Sequence, residues 1–345
     1  NYRPATIPGY ASTNGTGTEI FRRNLDWNTS GTLTYTHTFA TDHHLSALGG
    51  IEYKEINQSV FSGAAQGFSS PLLTRLSSAS TYTSITSTYT GNKIFSYLGS
   101  LRYDYKGKYL VNGNIRDDGS SRFGGNKKFG LFGGVSVGWR ISQEDFLKDV
   151  SFLSDLKLKA SYGVTGVQPT GDYTSFDQFS PGGAAGGYQG SSSLRQTALG
   201  NPDLSWEQST QTDLGVDFAF FNNRITGSVD VYQKNNSRLI LGVALPSSSG
   251  FGTIQQNVGK VEAKGIDLEL STVNLNLKGF QWTTNFNIAF TKNKLKELYN
   301  GLQYINTARN YQVGQPLNVY WYYKYAGVNP ADGRPMYYDK NDKIT

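Results

Sequence analysis

The stretch "FGLFGGVSVGWRIS", Phe129–Ser142, can be read as either of two folds. Gly134-Val135-Ser136-Val137-Gly138 is a G-x-S-x-G pattern, which on a strand, sharp turn and helix would expose Ser136 as a nucleophile. The same residues also alternate: Leu131, Val135, Val137, Trp139 and Ile141 oppose Ser136 and Arg140. An elbow requires the chain to bend after Ser136 and to supply an acid and then a histidine downstream. Here the alternation runs straight on, and His37, His43 and His44 all lie upstream. No triad of that order exists. Ser136 is therefore the polar side of a strand, and the stretch belongs to a β-sheet.

The same period of two recurs on either side. Trp27, Thr29, Gly31, Leu33, Tyr35, His37 and Phe39 share one face, with Ser, Thr and Asn between them. Leu45, Ala47, Gly49, Ile51 and Tyr53 follow, then Phe95, Tyr97, Leu101, Tyr103 and Tyr105, and then Tyr109, Val111, Gly113 and Ile115. Beyond the opening stretch come Leu156–Val164, Leu214–Phe220, Ile225–Val231, Ile266–Leu270 and Trp282–Phe290, each with Asp, Lys, Ser or Asn on the other face. With "NVYWYYKYAG" (Asn318–Gly327) the total is about eleven strands, most near the ~9–11 residues that a tilted strand needs to cross a bilayer.

The connections alternate as well. Those near Asp42, Gly107, Asn222 and Asn276 are brief, and the one near Asp145 is modest. Those at Asn57–Thr90, Gly166–Ser205 and Arg238–Asn257 are long and rich in Gly, Ser and Thr. Outer-membrane barrels sort their loops in this way, with short periplasmic turns at one rim and long extracellular loops at the other. The apolar face then meets lipid, and Ser, Thr, Asn and the charges face a wet lumen. Tyr103, Tyr105 and Tyr109 around Gly107, and Phe218, Phe220 and Phe221 around Asn222, suit an interfacial girdle. The fold expected is all-β: an antiparallel transmembrane β-barrel segment.

Composition agrees. Charged residues make up 17% and aromatics 14% of 345 residues, against roughly 25% charged in soluble proteins. No run approaches the ~18 apolar residues of a membrane helix. There is no cysteine, so disulfides and thiolate metal sites are excluded. The net charge of +6 is dispersed, and "KGKYL" at Lys106 lacks the aromatic spacing of an RNA-binding strand, so no nucleic-acid partner is expected. Met336 is the only methionine and both ends read as loop, so the chain reads as an excerpt of a longer one.

Other constellations reduce to structure. His43 and His44 are adjacent on a turn, where their side chains diverge, and "DKNDK" from Asp339 lacks the Gly and distal Glu of a calcium loop. No metal site and no cofactor are expected. Asp213 and Asp217 lie ~13 Å apart along one strand face, too far for a glycosidase pair. Asp267 and Glu269 are ~7 Å apart, a spacing that any polar-faced strand offers. Lys157 and Lys159 should instead meet Asp217 across neighbouring strands, and Arg224 should meet Asp267 or Glu269. No catalytic residue is identified.

Six motifs carry a family resemblance. "DGSSRFG" (Asp118–Gly124), "GWRIS" (Gly138–Ser142), "LSDLKLKASYGVTG" (Leu153–Gly166), "NPDLSWE" (Asn201–Glu207), "FFNNRITGSVDVY" (Phe220–Tyr232) and "NVGKVEAKGIDLEL" (Asn257–Leu270) resemble the SusC/RagA family of TonB-dependent outer-membrane transporters. "GQPLNVYWYYKYAGVNPADGRPMYYDK" (Gly314–Lys340) closes the run in that family's order. The resemblance covers nearly everything after Lys93, and more faintly the two strands before it. It implies a 22-stranded barrel of which residues 1–345 form about half, with the N-terminal plug and TonB box lying outside this chain. It implies TonB as partner through the plug, and a SusD-like surface lipoprotein over the mouth. It also implies a multi-pass site in the outer membrane of a Gram-negative bacterium, among lipid and lipopolysaccharide, and oligosaccharide or peptide substrates. Family substrate contacts lie on plug and loops, which points here to Tyr173, Phe176, Phe179 and Tyr188 in the Gly166–Ser205 loop. A passive porin is the alternative function, and an outer-membrane hydrolase a weaker one.

Overall fold

The computed structural model describes every residue except 1, 5, 8, 11, 12, 182–192, 306–310, 318, 320, 321, 340 and 345. Ten long strands run up and down in chain order: β1 (Thr16–Phe39), β2 (His43–Phe68), β3 (Ala79–Tyr105), β4 (Tyr109–Ser120), β5 (Phe129–Arg140), β6 (Leu153–Val167), β7 (Glu207–Phe220), β8 (Ile225–Ser237), β9 (Lys260–Leu277) and β10 (Phe280–Glu297). Each pairs antiparallel with its sequence neighbours in one sheet. An eleventh member, Tyr2–Arg3, pairs only with the start of β1. The expected eleventh strand at Asn318–Gly327 is corrected. The strand found there, Tyr325–Val328, pairs with Pro335–Tyr337 in a separate small ribbon, and the described residues just before it, 322–324, are not in a strand.

Register places the apolar band on one side. Across β2 and β3, Leu45 faces Tyr103, Ala47 faces Leu101, Ile51 faces Tyr97 and Tyr53 faces Phe95. The band stops one step on, where Glu55 faces Lys93 with their charges 3.4 Å apart. On the far hairpin, Ile266 pairs with Phe290 and Leu268 with Ile288. Leu33, Leu131, Leu214 and Phe290 are each at least 60% exposed, which water would penalise and lipid favours. Within the described residues no helix is long and apolar enough to cross a membrane.

Short turns gather at one end. Lys106-Gly107 and Asn222-Asn223 take positive φ, the left-handed backbone that tight hairpins need. Girdle aromatics sit beside them: Tyr105 stacks on Tyr109 and Phe218 on Phe220. His43 joins this layer, its Nδ1 2.6 Å from the Tyr103 hydroxyl, while His44 bonds Thr38 on the other face.

The long-loop end differs from expectation in one respect. Asn57–Thr90 is not a loop: β2 and β3 stay paired from Asn57↔Gly91 out to Phe68↔Ala79, and only residues 69–78 connect them. At 26 residues β2 is ~85 Å long, far beyond a ~25 Å apolar band. Thr, Ser and Tyr hold the extended backbone there. Both faces are wet, so the hydrophobic alternation fades. The other two long loops contain ribbons of their own, Gln178–Pro181 with Leu194–Ala198 and Ile240–Ala244 with Thr253–Asn257.

Candidate functional site

Ser136 lies on β5 between Asn112 of β4 and Ser161 of β6, in unbroken strand. Its hydroxyl accepts from the Asn112 amide, 3.4 Å away. This is a plain polar position on the inner wall.

The inner wall is instead organised by charge. Asp217 on β7 accepts from Lys157 at 2.8 Å and from Lys159 at 2.7 Å, both on β6. Lys159 also reaches Asp230 on β8 at 2.9 Å, so the ladder crosses three strands. Ser161 donates to Asp213 at 2.7 Å, and Gln211 donates to the same carboxylate. Near the long-loop end Arg116 joins Glu52, Asp118 and the buried Ser96, drawing β2, β3 and β4 together. The pairing expected for Arg224 does not form. Arg224 sits in the β7–β8 turn, and its guanidinium donates to the carbonyls of Val273 and Asn274. Asp267 lies opposite Asp230, and Glu269 opposite Ser228, both further up the wall.

At the long-loop rim, three of the motifs meet in space. Phe123 of "DGSSRFG" has no exposed surface and packs at 4.8 Å on Trp206 of "NPDLSWE". Phe132 meets the same indole edge-on, at the level where β5 and β6 stop pairing. The indole N–H donates to the Lys128 carbonyl. Gly124 lies so close to Pro202 that a Cβ would sit 2.1 Å from its carbonyl oxygen, which is why glycine stands there. Asn257 of the third motif clamps Ser205: its Oδ1 accepts from the Ser205 N–H, and its Nδ2 donates to the Ser205 and Arg238 carbonyls. Arg122 reaches into the Gly166–Ser205 loop, bonding Asp172 at 2.8 Å and the Pro169 carbonyl, and Asn92 binds the same Asp172 carboxylate. The motifs thus brace the loops from below.

The loop aromatics ride on this brace. The Tyr173 hydroxyl accepts from the Gly91 N–H, which ties the loop to β3. Phe176 is half exposed beside Ser175, whose buried hydroxyl donates to the Arg122 carbonyl. Phe179 stands 60% exposed on the short ribbon. Tyr188 lies outside the described residues. Sequence reasoning picked these rings out but missed the brace, because buried Phe123 and Trp206 are 83 residues apart and share no periodicity.

A wall of this kind, with lipid outside, charge inside and braced loops at one rim, defines a transmembrane β-barrel protein of the outer-membrane type. The chain belongs to the TonB dependent receptor-like, beta-barrel family, whose pattern matches residues 1–342. It is 32% identical to TonB-dependent receptor P39 of Formosa agariphila over 324 residues, covering 92% of this chain and 30% of that protein. It is 32% identical to TonB-dependent receptor SusC of Bacteroides thetaiotaomicron over 281 residues, 74% of this chain and 28% of that one. The structure of the RagAB peptide transporter superposes with a TM-score of 0.91 at 27% identity, over 100% of this chain and 39% of that one. The chain is thus of the SusC/RagA type and spans about a third of the length of these relatives. Those relatives are receptors and transporters, not enzymes.

Proposed function

We propose that these residues form the wall and extracellular loops of a TonB-dependent importer of oligomeric nutrients, glycans or peptides. The observation that carries the reading is the 32% identity to SusC across three quarters of the chain, joined to an inner face of paired charges suited to a wet lumen. In this reading the long loops point outward and a SusD-like lipoprotein closes over them. A plug and a TonB-contacting segment, lying outside these residues, convert the pull of TonB into an open path. Tyr173, Phe176, Phe179 and Tyr188 meet the substrate or the lid. Ring faces held on a braced loop suit stacking against sugars or peptide side chains. RagAB, whose wall this sheet resembles, is a peptide transporter, which supports the peptide arm.

The test is uptake by whole cells carrying the full-length gene. Labelled oligosaccharide and peptide pools should enter with the gene and TonB, and should stay outside when either is deleted. Uptake that persists without TonB would favour a passive porin instead. Phe179→Ala should raise the concentration needed for half-maximal uptake while leaving protein levels unchanged.

A further inference from the structure

The long-loop rim has a notch in which one sheet edge lies open. β3 and β4 pair only as far as Ile94↔Ser120, and the chain then crosses to β5 through residues 121–128. β2 and β3 run on together to Phe68↔Ala79, ~45 Å of strand beyond that row. The flank of β3 that β4 covers lower down is therefore bare above Lys93, on the side of the Gly166–Ser205 loop. Because β4 turns back of its own accord, the opening belongs to the unequal height of neighbouring hairpins.

The lowest bonds of this edge fix which residues face the notch. The Lys93 N–H donates to Ser121 Oγ at 2.9 Å, and the Lys93 carbonyl accepts from the Ser121 N–H. Two residues up, the Gly91 N–H donates to the Tyr173 hydroxyl. Backbone groups alternate sides along a strand, so Tyr89, Ser87 and Ile85 also hold N–H and C=O toward the notch. Among the described residues no backbone bond meets them there. The one irregularity of the β2–β3 pairing, at Ala64/Ala65, lies beyond Ile85 and leaves these three in register. Residues 80–89 are all exposed, Ile85 at 71%. Open edges ordinarily carry charges or proline that turn other strands away. Ala79–Asn92 contains no charged residue and no proline. Such an edge is a template for an incoming strand.

We infer that an extended peptide substrate pairs with β3 along Ile85–Tyr89, adding a strand to the rim before it enters the barrel. The inference rests on the peptide arm of the function proposed above. An extended peptide repeats its N–H and C=O every ~6.8 Å, the spacing that the edge offers, and a sugar chain has no such repeat. Backbone pairing accepts many sequences, and the flanking side chains select among them. Ile85 and Tyr89 on one face favour apolar or aromatic residues at alternate peptide positions, while Thr86 and Thr88 line the other. Tyr173, bonded to Gly91, closes the foot of the added strand and sets the loop aromatics beside its end.

The test uses the full-length protein in detergent and a synthetic peptide alternating threonine with glutamine. Hydrogen exchange should find the Ile85, Ser87 and Tyr89 amides open without peptide and slowed with it. Amides already slow without peptide would mean that another part of the protein, or a bound partner protein, covers the edge, and would overturn the site. Ser87→Pro removes one notch-facing N–H and no bond to β2, so peptide affinity should fall at least about fivefold. Ser87→Ala keeps that N–H and should bind as wild type. The same peptide N-methylated throughout has no N–H to donate and should bind wild type on the order of a hundredfold more weakly. Undiminished binding by Ser87→Pro or by the methylated peptide, or an equal loss in Ser87→Ala, would overturn the pairing. A linear glucose oligomer should bind wild type and Ser87→Pro alike; a loss equal to the peptide's would mean a damaged rim and overturn it as well. Whole-cell uptake separates this inference from the reading it rests on. Peptide that pairs with the edge but never enters cells would overturn the importer and not the edge. Peptide uptake with an unchanged half-maximal concentration in Ser87→Pro would overturn the edge alone.

Discussion

Exchanging Leu158 for arginine tests the facing of the whole sheet. Leu158 lies on the lipid side of β6, opposite Trp139 of β5 and Val216 of β7. It is five steps (158 − 153) from the start of the strand at Leu153. At ~3.3 Å per residue and ~40° of tilt that is ~13 Å above the turn, the middle of a ~25 Å apolar band. Arginine at such a depth costs ~2–4 kcal/mol, a large part of a net stability of ~5–15 kcal/mol. Ser161, three residues on, faces the lumen and donates to Asp213 directly across on β7. An arginine there stays in water with a carboxylate beside it, so Ser161→Arg should change stability by under ~1 kcal/mol. Urea titration of the refolded full-length protein in vesicles, followed by the heat-resistant gel band, separates the two. Equal losses would mean that the assigned faces are wrong.

Glu144 gives a pH test at the short-turn rim. The Tyr109 hydroxyl, the Trp139 N–H and the Lys108 ammonium hold its carboxyl well below the ordinary 4.5, at about 2. A depressed acid stabilises above its unfolded pKa and loses that effect as pH falls. The advantage of wild type over Glu144→Gln in urea midpoint should be full at pH 6 and vanish between about 4.5 and 2; an advantage that grows on acidification would contradict it. Gly124→Val drives side-chain atoms into the Pro202 backbone, so proteolysis should cut the Gly166–Ser205 loop sooner while the wall stays resistant; an unchanged cleavage rate would remove the bracing role. A cysteine at position 248 should react with an impermeant label on intact cells and one at Gly107 should not; the reverse pattern would invert the topology.

The sequence displays the fold only where one face of a strand touches lipid. From Leu45 to Tyr53 the alternation is strict because water and hydrocarbon lie on opposite sides, and the structure keeps that facing. Past Glu55 both faces are wet, the contrast disappears, and β2 runs on to Phe68 without a hydrophobic signal to mark it. The contact of Lys157 and Lys159 with Asp217 was legible because face and register follow from counting back from the Asn222 turn. Asp230 was missed as a third partner, since it lies one strand further away. Arg224 was misplaced because a turn residue reaches backbone carbonyls before any strand carboxylate. The rim brace was invisible: the contacts of Phe123, Trp206 and Asn257 depend on loop paths that have no period.

The two free edges of the sheet decide what these 345 residues can do by themselves. The count of ten long strands is even, so parity alone would let β1 and β10 close antiparallel, but the described residues do not pair them. Curvature is the obstacle. The sheet follows the RagA wall with a TM-score of 0.91 while covering 39% of that chain, and barrel diameter grows with strand number. Closing ten strands at the curvature of a much wider barrel would break the registers that set lipid outside and charge inside. Left open in a bilayer, each edge exposes about ten unpaired N–H and C=O groups over a ~10-residue span, at several kcal/mol each. That exceeds the ~5–15 kcal/mol by which any domain is stable. The edges must therefore be satisfied by further strands, and the residues expressed alone should aggregate or stay unfolded in detergent, whereas the full-length protein gives a heat-resistant monomer. A heat-resistant, conducting monomer refolded from residues 1–345 alone would refute the wide-barrel reading and return the ten strands to self-closure.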